Sequence, residues 1–468
     1  MILLVYPDCK ARNYQKVAGT ISAIQPNIYM ALLHSYIKSQ GIEVEMINCD
    51  AENLSNEEVC AIVEEKKPKF VGIVGIGHNL SSSTMTMVGV IDLCSKLNLL
   101  DMESKVFVLG GHPTVLPERT LKETGVDYVI TGEGYHEIVD LYRNGSSNSI
   151  IKTEKVIDVD KLPMIDWDII NPQKYRAHNW HCLSDLNNRT PYGVIWTSMG
   201  CPYPCDFCAV NNLFEGQKLY RKRSMKNVVA EIDKLVLNHG VRNIKIIDEL
   251  FITQHKRMDE FCDLLEKRNY DLNMWCFSRI DTINERILKR LKGVGMNWVA
   301  YGFESISQKS LDASQKRNKV EIYDTAISMT REAGINICAD VIAGLPDDDD
   351  ESIQDTYDFC VKNNFEFMNI YPAFAYPGTQ LYDKAIKYGY MTEPTNWAQY
   401  SPYGYECLPL KTKHLNAEQV LFWRDKFFYD YYAEPKYLNM VEEKFGKEAR
   451  QHIIDMTRVK LDRKILNG

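Results

Sequence analysis

The stretch Val194-Ile-Trp-Thr-Ser-Met-Gly-Cys201-Pro-Tyr-Pro-Cys205-Asp-Phe-Cys208 runs from an apolar, strand-like segment straight into three cysteines. A strand is predicted over Val194 to Ser198, and the cysteines stand four and three residues apart on the tight loop after it. Three thiolates spaced in this way can ligate three irons of a cubane cluster and leave the fourth iron open to another ligand. A structural zinc site would need a fourth ligand, usually in a second paired motif, and none follows nearby.

Downstream of the cysteines, strand-length apolar runs alternate with helical ones. Strands are predicted at Asn243 to Ile247, Asn273 to Phe277, Trp298 to Phe303, Ile335 to Ile342 and Phe367 to Ala373. Helices are predicted near Met225 to Asn238, Lys256 to Lys267, Ile283 to Val294, Glu321 to Ala333 and Asp350 to Asn363. The alternation predicts a partial parallel (β/α)6 barrel over residues 191–390, a fold that carries its chemistry at the carboxyl ends of its strands.

Upstream, residues 1–148 alternate in the same way, with strands at Ile2 to Tyr6, Glu43 to Ile47, Phe70 to Ile76, Lys105 to Leu109 and Tyr128 to Thr131. This pattern predicts a doubly wound, flavodoxin- or Rossmann-like parallel sheet, which binds ligands at the switch point of its strand order. Residues 149–190 lose the regularity and read as a connector, with Trp167 and Trp180 packing against a neighbour. In residues 391–468 aromatic side chains crowd in. Amphipathic helices are predicted there over Ala417 to Tyr432 and Leu438 to Ile465, closing the barrel.

The CxxxCxxC loop after a first barrel strand, with the aromatic Phe207 before the last cysteine, resembles the radical S-adenosylmethionine (SAM) superfamily. The resemblance implies that Cys201, Cys205 and Cys208 hold a [4Fe-4S] cluster, and that SAM chelated at the open iron is cleaved to a 5′-deoxyadenosyl radical. It also implies that Asp248-Glu249 meets the SAM amine, that Arg279 faces its carboxylate, and that Glu304, with Ser305 beside it, takes the ribose hydroxyls. Ile342 at the end of the fifth strand completes the SAM contacts. Gly344-Leu345-Pro346 and Tyr376-Pro377-Gly378-Thr379 then follow the fifth and sixth strands.

The first 148 residues resemble the cobalamin-binding domain of cobalamin-dependent radical SAM enzymes. The matching pieces hold Gly75, Gly77, His78 and Asn79; then Gly110, Gly111, His112 and Thr114; then Gly132 and Glu133. Glycines at strand ends let backbone approach a large flat ligand or its phosphate tail. No Asp-x-His-x-x-Gly motif is present to supply a cobalt-ligating histidine, so His78 or water is left for the lower face of the corrin. His78 can equally serve as a backbone hydrogen-bonding residue near the switch point.

The function implied is methyl transfer from methylcobalamin to an unactivated carbon or a phosphorus centre, after hydrogen abstraction by the radical. A non-methylating cyclase or rearrangement enzyme using the same parts is the alternative, and a non-catalytic cobalamin or SAM sensor is a third reading. A methylthiotransferase fits poorly, because Cys9, Cys49, Cys60 and Cys94 have no close ligand spacing. The implied partners are a small-molecule or peptide substrate and an external electron donor such as flavodoxin or ferredoxin.

Composition agrees with these readings. A net charge of −8 and a pI near 5.8 give no overall attraction to nucleic acid. The apolar runs are shorter than the ~20 residues of a membrane span, and the opening MILLVYP lacks a basic leader and a cleavage site, so a cytoplasmic location is expected. Thirteen cysteines, an odd number in a chain of 468 residues, argue against a disulfide scaffold.

Overall fold

Strands that are apolar on both faces can only be buried in a sheet covered on both sides, and this chain builds two such sheets. The computed structural model describes residues 1–466 except Thr20, His78, Ser81, Ser82, Glu215, Gly216 and Lys218. The first sheet contains β1 (Ile2–Tyr6), β2 (Val44–Asn48), β3 (Phe70–Val74), β4 (Lys105–Leu109), β5 (Tyr128–Ile130) and β6 (Ile150–Ile151). Its order is β2-β1-β3-β4-β5-β6 with every pair parallel. The order reverses between β1 and β3, which places the ligand crevice at their carboxyl ends. Strand β6 extends the sheet beyond residue 148, so the stretch read from sequence as the start of a connector begins inside the first domain.

After β7 (Tyr192–Ile195), the short β8 (Ser198–Met199) and β9 (Arg221–Lys222) form an antiparallel pair that brackets the cysteine loop. There follow β10 (Asn243–Ile246), β11 (Asn273–Ser278), β12 (Met296–Glu304), β13 (Asn336–Ala343) and β14 (Phe367–Pro372). These strands and β7 form a six-stranded parallel sheet in the order β14-β13-β12-β11-β10-β7. This is the expected partial barrel, open between β7 and β14.

The connector closes the lower mouth of the barrel. The Trp180 ring lies 4.8 Å from Trp275, 5.3 Å from Trp298 and 5.7 Å from Phe367. These three residues stand near the amino ends of β11, β12 and β14. Truncating a buried tryptophan removes both its transfer free energy and its packing, so Trp180→Ala should cost about 3–5 kcal/mol. A urea midpoint shift corresponding to less than about 1 kcal/mol would contradict this packing role.

Helices Ala417–Ala433, Pro435–Phe445 and Lys447–Arg458 cover the β14 edge. The hydroxyls of Tyr431, Tyr432 and Tyr437 donate to the carbonyls of Phe365, Met368 and Glu366 at 2.8, 2.6 and 3.2 Å. The single helix expected over Leu438 to Ile465 is in fact two. Gly446, at φ +94°, ends one helix, and the chain leaves helical conformation after Arg458. Some of the aromatics do not cap the barrel at all. Trp397, Tyr400 and Cys407 join Leu3, Val5 and Ile47 in the core of the first domain, so the C-terminal segment clamps both sheets. Among the described residues no helix is long and apolar enough to cross a membrane.

Candidate cofactor site between the two sheets

The cysteine loop is shaped by its neighbours before any metal binds. Gly200 has φ +82°, and a Cβ there would stand 2.1 Å from the Leu219 carbonyl, so only glycine lets the loop leave β8 beside its returning partner. The Asn211 amide donates to the Cys201 carbonyl at 3.2 Å and its oxygen accepts the Cys201 N–H at 3.4 Å. Asp206 pairs with Lys384 at 2.7 Å, and its N–H donates to the Ser314 carbonyl. Cys201, Cys205 and Cys208 are half-buried, whereas every other cysteine is buried. Burial pushes the Cys201 thiol up to about 11 and raises Cys205 and Cys208 as well, so binding iron as thiolates must release protons. Among the described residues no three His, Cys, Asp or Glu side chains converge on one ion position. A cubane asks for something else, since each thiolate binds a different iron.

The barrel-end residues read as SAM contacts are not equivalent. Asp248 is fully occupied: its carboxylate accepts from the Thr197 N–H at 2.6 Å, the Thr197 hydroxyl at 2.5 Å and the Ser198 hydroxyl at 2.6 Å. It braces the approach to the cysteines. Glu249 beside it keeps one carboxylate oxygen buried without a partner. Burial pushes that carboxyl up to about 8, as expected for an acceptor awaiting a cationic donor. Arg279 stacks over Tyr203 of the cysteine loop at 3.9 Å and forks onto Asp281 at 2.8 and 2.7 Å. Glu304 sits where the β12–β13 register slips, in left-handed backbone at φ +63°, a strain that tends to gather at functional sites. It pairs with buried Lys316 at 2.7 Å. Ser305 turns inward to Ser307 and Thr356, whereas Ile342 faces the central cavity.

In the first domain the loops after β4 and β5 are tied together by Thr114. Its hydroxyl donates to the Gly110 carbonyl at 2.6 Å and accepts the Gly132 N–H at 2.9 Å. Gly110 has φ +147°, and a Cβ there would meet the Gly75 carbonyl at 2.4 Å. At Gly111 a Cβ meets nothing closer than 3.7 Å. Gly110→Ala should therefore cost about 1–3 kcal/mol from backbone conformation alone. Gly111→Ala should stay within about 0.5 kcal/mol, so its cobalamin retention reports the ligand and not the fold. Equal urea midpoints for the two variants would contradict this distinction.

His112 lies 4.4 Å from the Trp397 ring and 3.4 Å from the Thr84 hydroxyl. Burial drives it down to about 3, so it is neutral, and its Nε2 is buried without a partner. Glu133 takes both guanidinium nitrogens of Arg221 at 2.8 Å, an ion pair that locks the first domain to β9. Asn79 accepts from Lys245 of the barrel at 3.1 Å. Gly75 and Gly77 lie at and just beyond the end of β3, and His78 lies outside the described residues.

The two domains and the C-terminal helices enclose a cavity of about 450 Å³. Phe207, Cys208, Glu304 and Ile342 border it from the barrel mouth, and Tyr14 and Asn79 from the switch point of the first sheet. Sequence reading missed Tyr203, Arg221, Lys245, Lys316 and Arg424. Only the position of Tyr203, within the cysteine motif, carried a signal.

A model of the radical SAM superfamily matches residues 197–360, and a model of the B12 binding domain matches residues 14–141. A bacteriochlorophyllide d C-8(2)-methyltransferase of Chlorobaculum tepidum is 30% identical over 362 residues, spanning 72% of this chain and 76% of that protein. The chain belongs to the cobalamin-dependent radical SAM methyltransferases. Enzymes of this family use a [4Fe-4S] cluster, SAM and cobalamin. An uncharacterized methyltransferase of Pyrococcus horikoshii is 27% identical over 457 residues, 93% of each chain. An anaerobic magnesium-protoporphyrin IX monomethyl ester cyclase of Rubrivivax gelatinosus is 26% identical over 382 residues, 76% of this chain and 64% of that one. The fold is shared with the radical SAM methyltransferase TsrM from Kitasatospora setae, at TM-score 0.67 and 14% identity over 98% of this chain and 99% of that one.

The residues present fit these cofactors. Half-buried thiols on a braced loop, an unpartnered buried Glu249 oxygen, and glycine loops at the carboxyl ends of the first sheet are groups of the kind they need.

Proposed function

We propose that this methyltransferase carries a methyl group to an unactivated carbon, or a phosphorus centre, of a small molecule enclosed in the interdomain cavity. The observation that carries this reading is the cavity itself, which touches Cys208 and Phe207 at one end and the switch-point residues of the first sheet at the other. When bound, the cluster and SAM supply a hydrogen-abstracting radical, and methylcobalamin supplies the methyl group.

The chain's own residues position and exclude. Cys201, Cys205 and Cys208 hold the cluster, and Asp248, Asp206 and Asn211 hold their loop. Glu249 accepts the SAM amine, Arg279 faces the carboxylate from its stack on Tyr203, and Glu304 takes the ribose hydroxyls. Gly75, Gly77, Asn79, Gly110, Gly111 and the His112 nitrogen border the cobalamin crevice. Trp180 and the C-terminal helices keep water out of the cavity, which protects a radical from quenching. An external reductant such as flavodoxin or ferredoxin delivers electrons to the cluster.

The test is to incubate the reduced, reconstituted enzyme with SAM carrying a deuterated methyl group and a small-molecule cell extract. A product heavier by one deuterated methyl group is expected. Turnover that yields only unlabelled rearranged product would replace methyl transfer with the cyclase-type reading.

A further inference from the structure

Charged side chains line the cavity away from the cysteine loop. Lys245 points inward from β10, with 1% of its surface exposed. Its ammonium donates to Gln25 Oε1 at 3.0 Å and Asn79 Oδ1 at 3.1 Å, both neutral amides of the first domain. It lies 5.0 Å from the Trp275 ring centre and 5.5 Å from that of Phe277. Among the described residues no carboxylate stands within ion-pair distance of it, and a lysine has a third N–H to give.

From the helix beside β14, Arg424 also reaches the cavity. Its nearest carboxylate, Asp425 at 2.7 Å, is shared with Arg463, which forks onto it at 2.9 Å through both nitrogens. One negative charge therefore serves two guanidinium groups. The acidic side chains that line the cavity are Glu304 and Asp340 from the barrel and Asp50, beside Lys10, from the first domain. Glu304 is committed to Lys316. Burial pushes the Asp340 carboxyl up to about 7, toward its neutral form, with the Asn369 amide donating to it at 2.9 Å. Burial also pulls the Lys245 ammonium down to about 7, against the opposing pull of Asp340, and a bound anion would oppose that fall further. Between the two cations the walls are rings: Trp275, Phe277, Tyr371, Tyr403 and Phe428.

We propose that the methyl acceptor is an organic carboxylate with a flat, apolar body, its carboxylate seated on Lys245 and its body held among the cavity's rings. One spare N–H on a point charge can seat a single anionic oxygen, which a carboxylate presents with one negative charge to match. The proposal rests on the reading of this cavity as the substrate site.

The test uses naphthalene-2-acetate, 3-phenylpropionate and their primary amides as probes, titrated calorimetrically into the cluster- and cobalamin-loaded enzyme. Each acid should bind about tenfold or more tighter than its amide, because the amide forfeits a charge-assisted bond. That ratio should fall within about twofold in Lys245→Met and return in part in Lys245→Arg. Amides equal to acids in the wild type, failure of every acid to bind, or a ratio that survives Lys245→Met would overturn the proposal. Cluster absorbance and cobalamin content check the fold; should Lys245→Met not fold, the wild-type and Lys245→Arg ratios decide. Ala23→Trp, which fills the cavity from its half-buried first-domain wall, separates the two readings. Acid binding unchanged in Ala23→Trp would remove the cavity as the substrate site. Binding lost there, with the ratio intact in Lys245→Met, would leave the cavity and remove only Lys245 as the seat of the carboxylate.

Discussion

Replacing Cys201, Cys205 and Cys208 together by alanine will leave a folded protein that binds no iron and has no brown absorbance. Folding should survive because the loop does not depend on its thiols for shape. Gly200, the Asn211 bonds to Cys201 backbone and the Asp206–Lys384 pair hold it from outside. Iron should be lost entirely if, as proposed, these three thiolates hold the cubane and its fourth iron is left to SAM. The check is iron and sulfide content after anaerobic reconstitution, with circular dichroism as the folding control. Retention of about four irons per chain would refute the assignment.

The second large effect is expected at Glu304, where two losses coincide. If Glu304 holds the ribose as proposed, Glu304→Ala removes an acceptor worth about 1.5–3 kcal/mol when charged, so SAM affinity should fall at least about tenfold. It also strands Lys316, whose side chain is 9% exposed and has Glu304 as its ion-pair partner. An unpaired buried charge of that kind costs about 3–5 kcal/mol. Glu304→Gln separates the two losses: it keeps an acceptor and the shape, so it should recover more SAM affinity than stability. SAM affinity within about twofold of wild type in Glu304→Ala would show that the end of β12 does not hold the ribose.

What the sequence made legible was whatever depends on local spacing. Continuous apolar runs announced buried parallel strands, and the CxxxCxxC motif marked the loop after the first barrel strand. Partner choice was not legible. Glu133 and Asp248 were both read as cofactor contacts because each stands at a strand end. Glu133 binds Arg221, 88 residues away, and Asp248 binds Thr197 and Ser198, partners that their positions did not announce. Sequence position puts a carboxylate at the right rim but does not tell which cation or hydroxyl will reach it. Lys245 and Lys316 were missed for the complementary reason. A lone lysine in a strand or loop reads as solvated, and only the fold encloses it. The aromatic crowd after residue 390 was legible as packing surface, but its division between barrel edge and first-domain core depends on long-range closure. Gly446 was the available sign that one predicted helix would be two.

Radical chemistry at Cys201, Cys205 and Cys208 and methyl transfer in the adjoining cavity, if both belong to one enzyme as proposed, must consume SAM in two ways. The most direct measurement is to quantify 5′-deoxyadenosine and S-adenosylhomocysteine together, after the reduced, cluster- and cobalamin-loaded protein has turned over its acceptor with SAM. Both should form in step with methylated product, one SAM being cleaved and another demethylated per turnover. 5′-Deoxyadenosine without S-adenosylhomocysteine would place the protein among rearrangement enzymes, and formation of neither would contradict catalysis altogether.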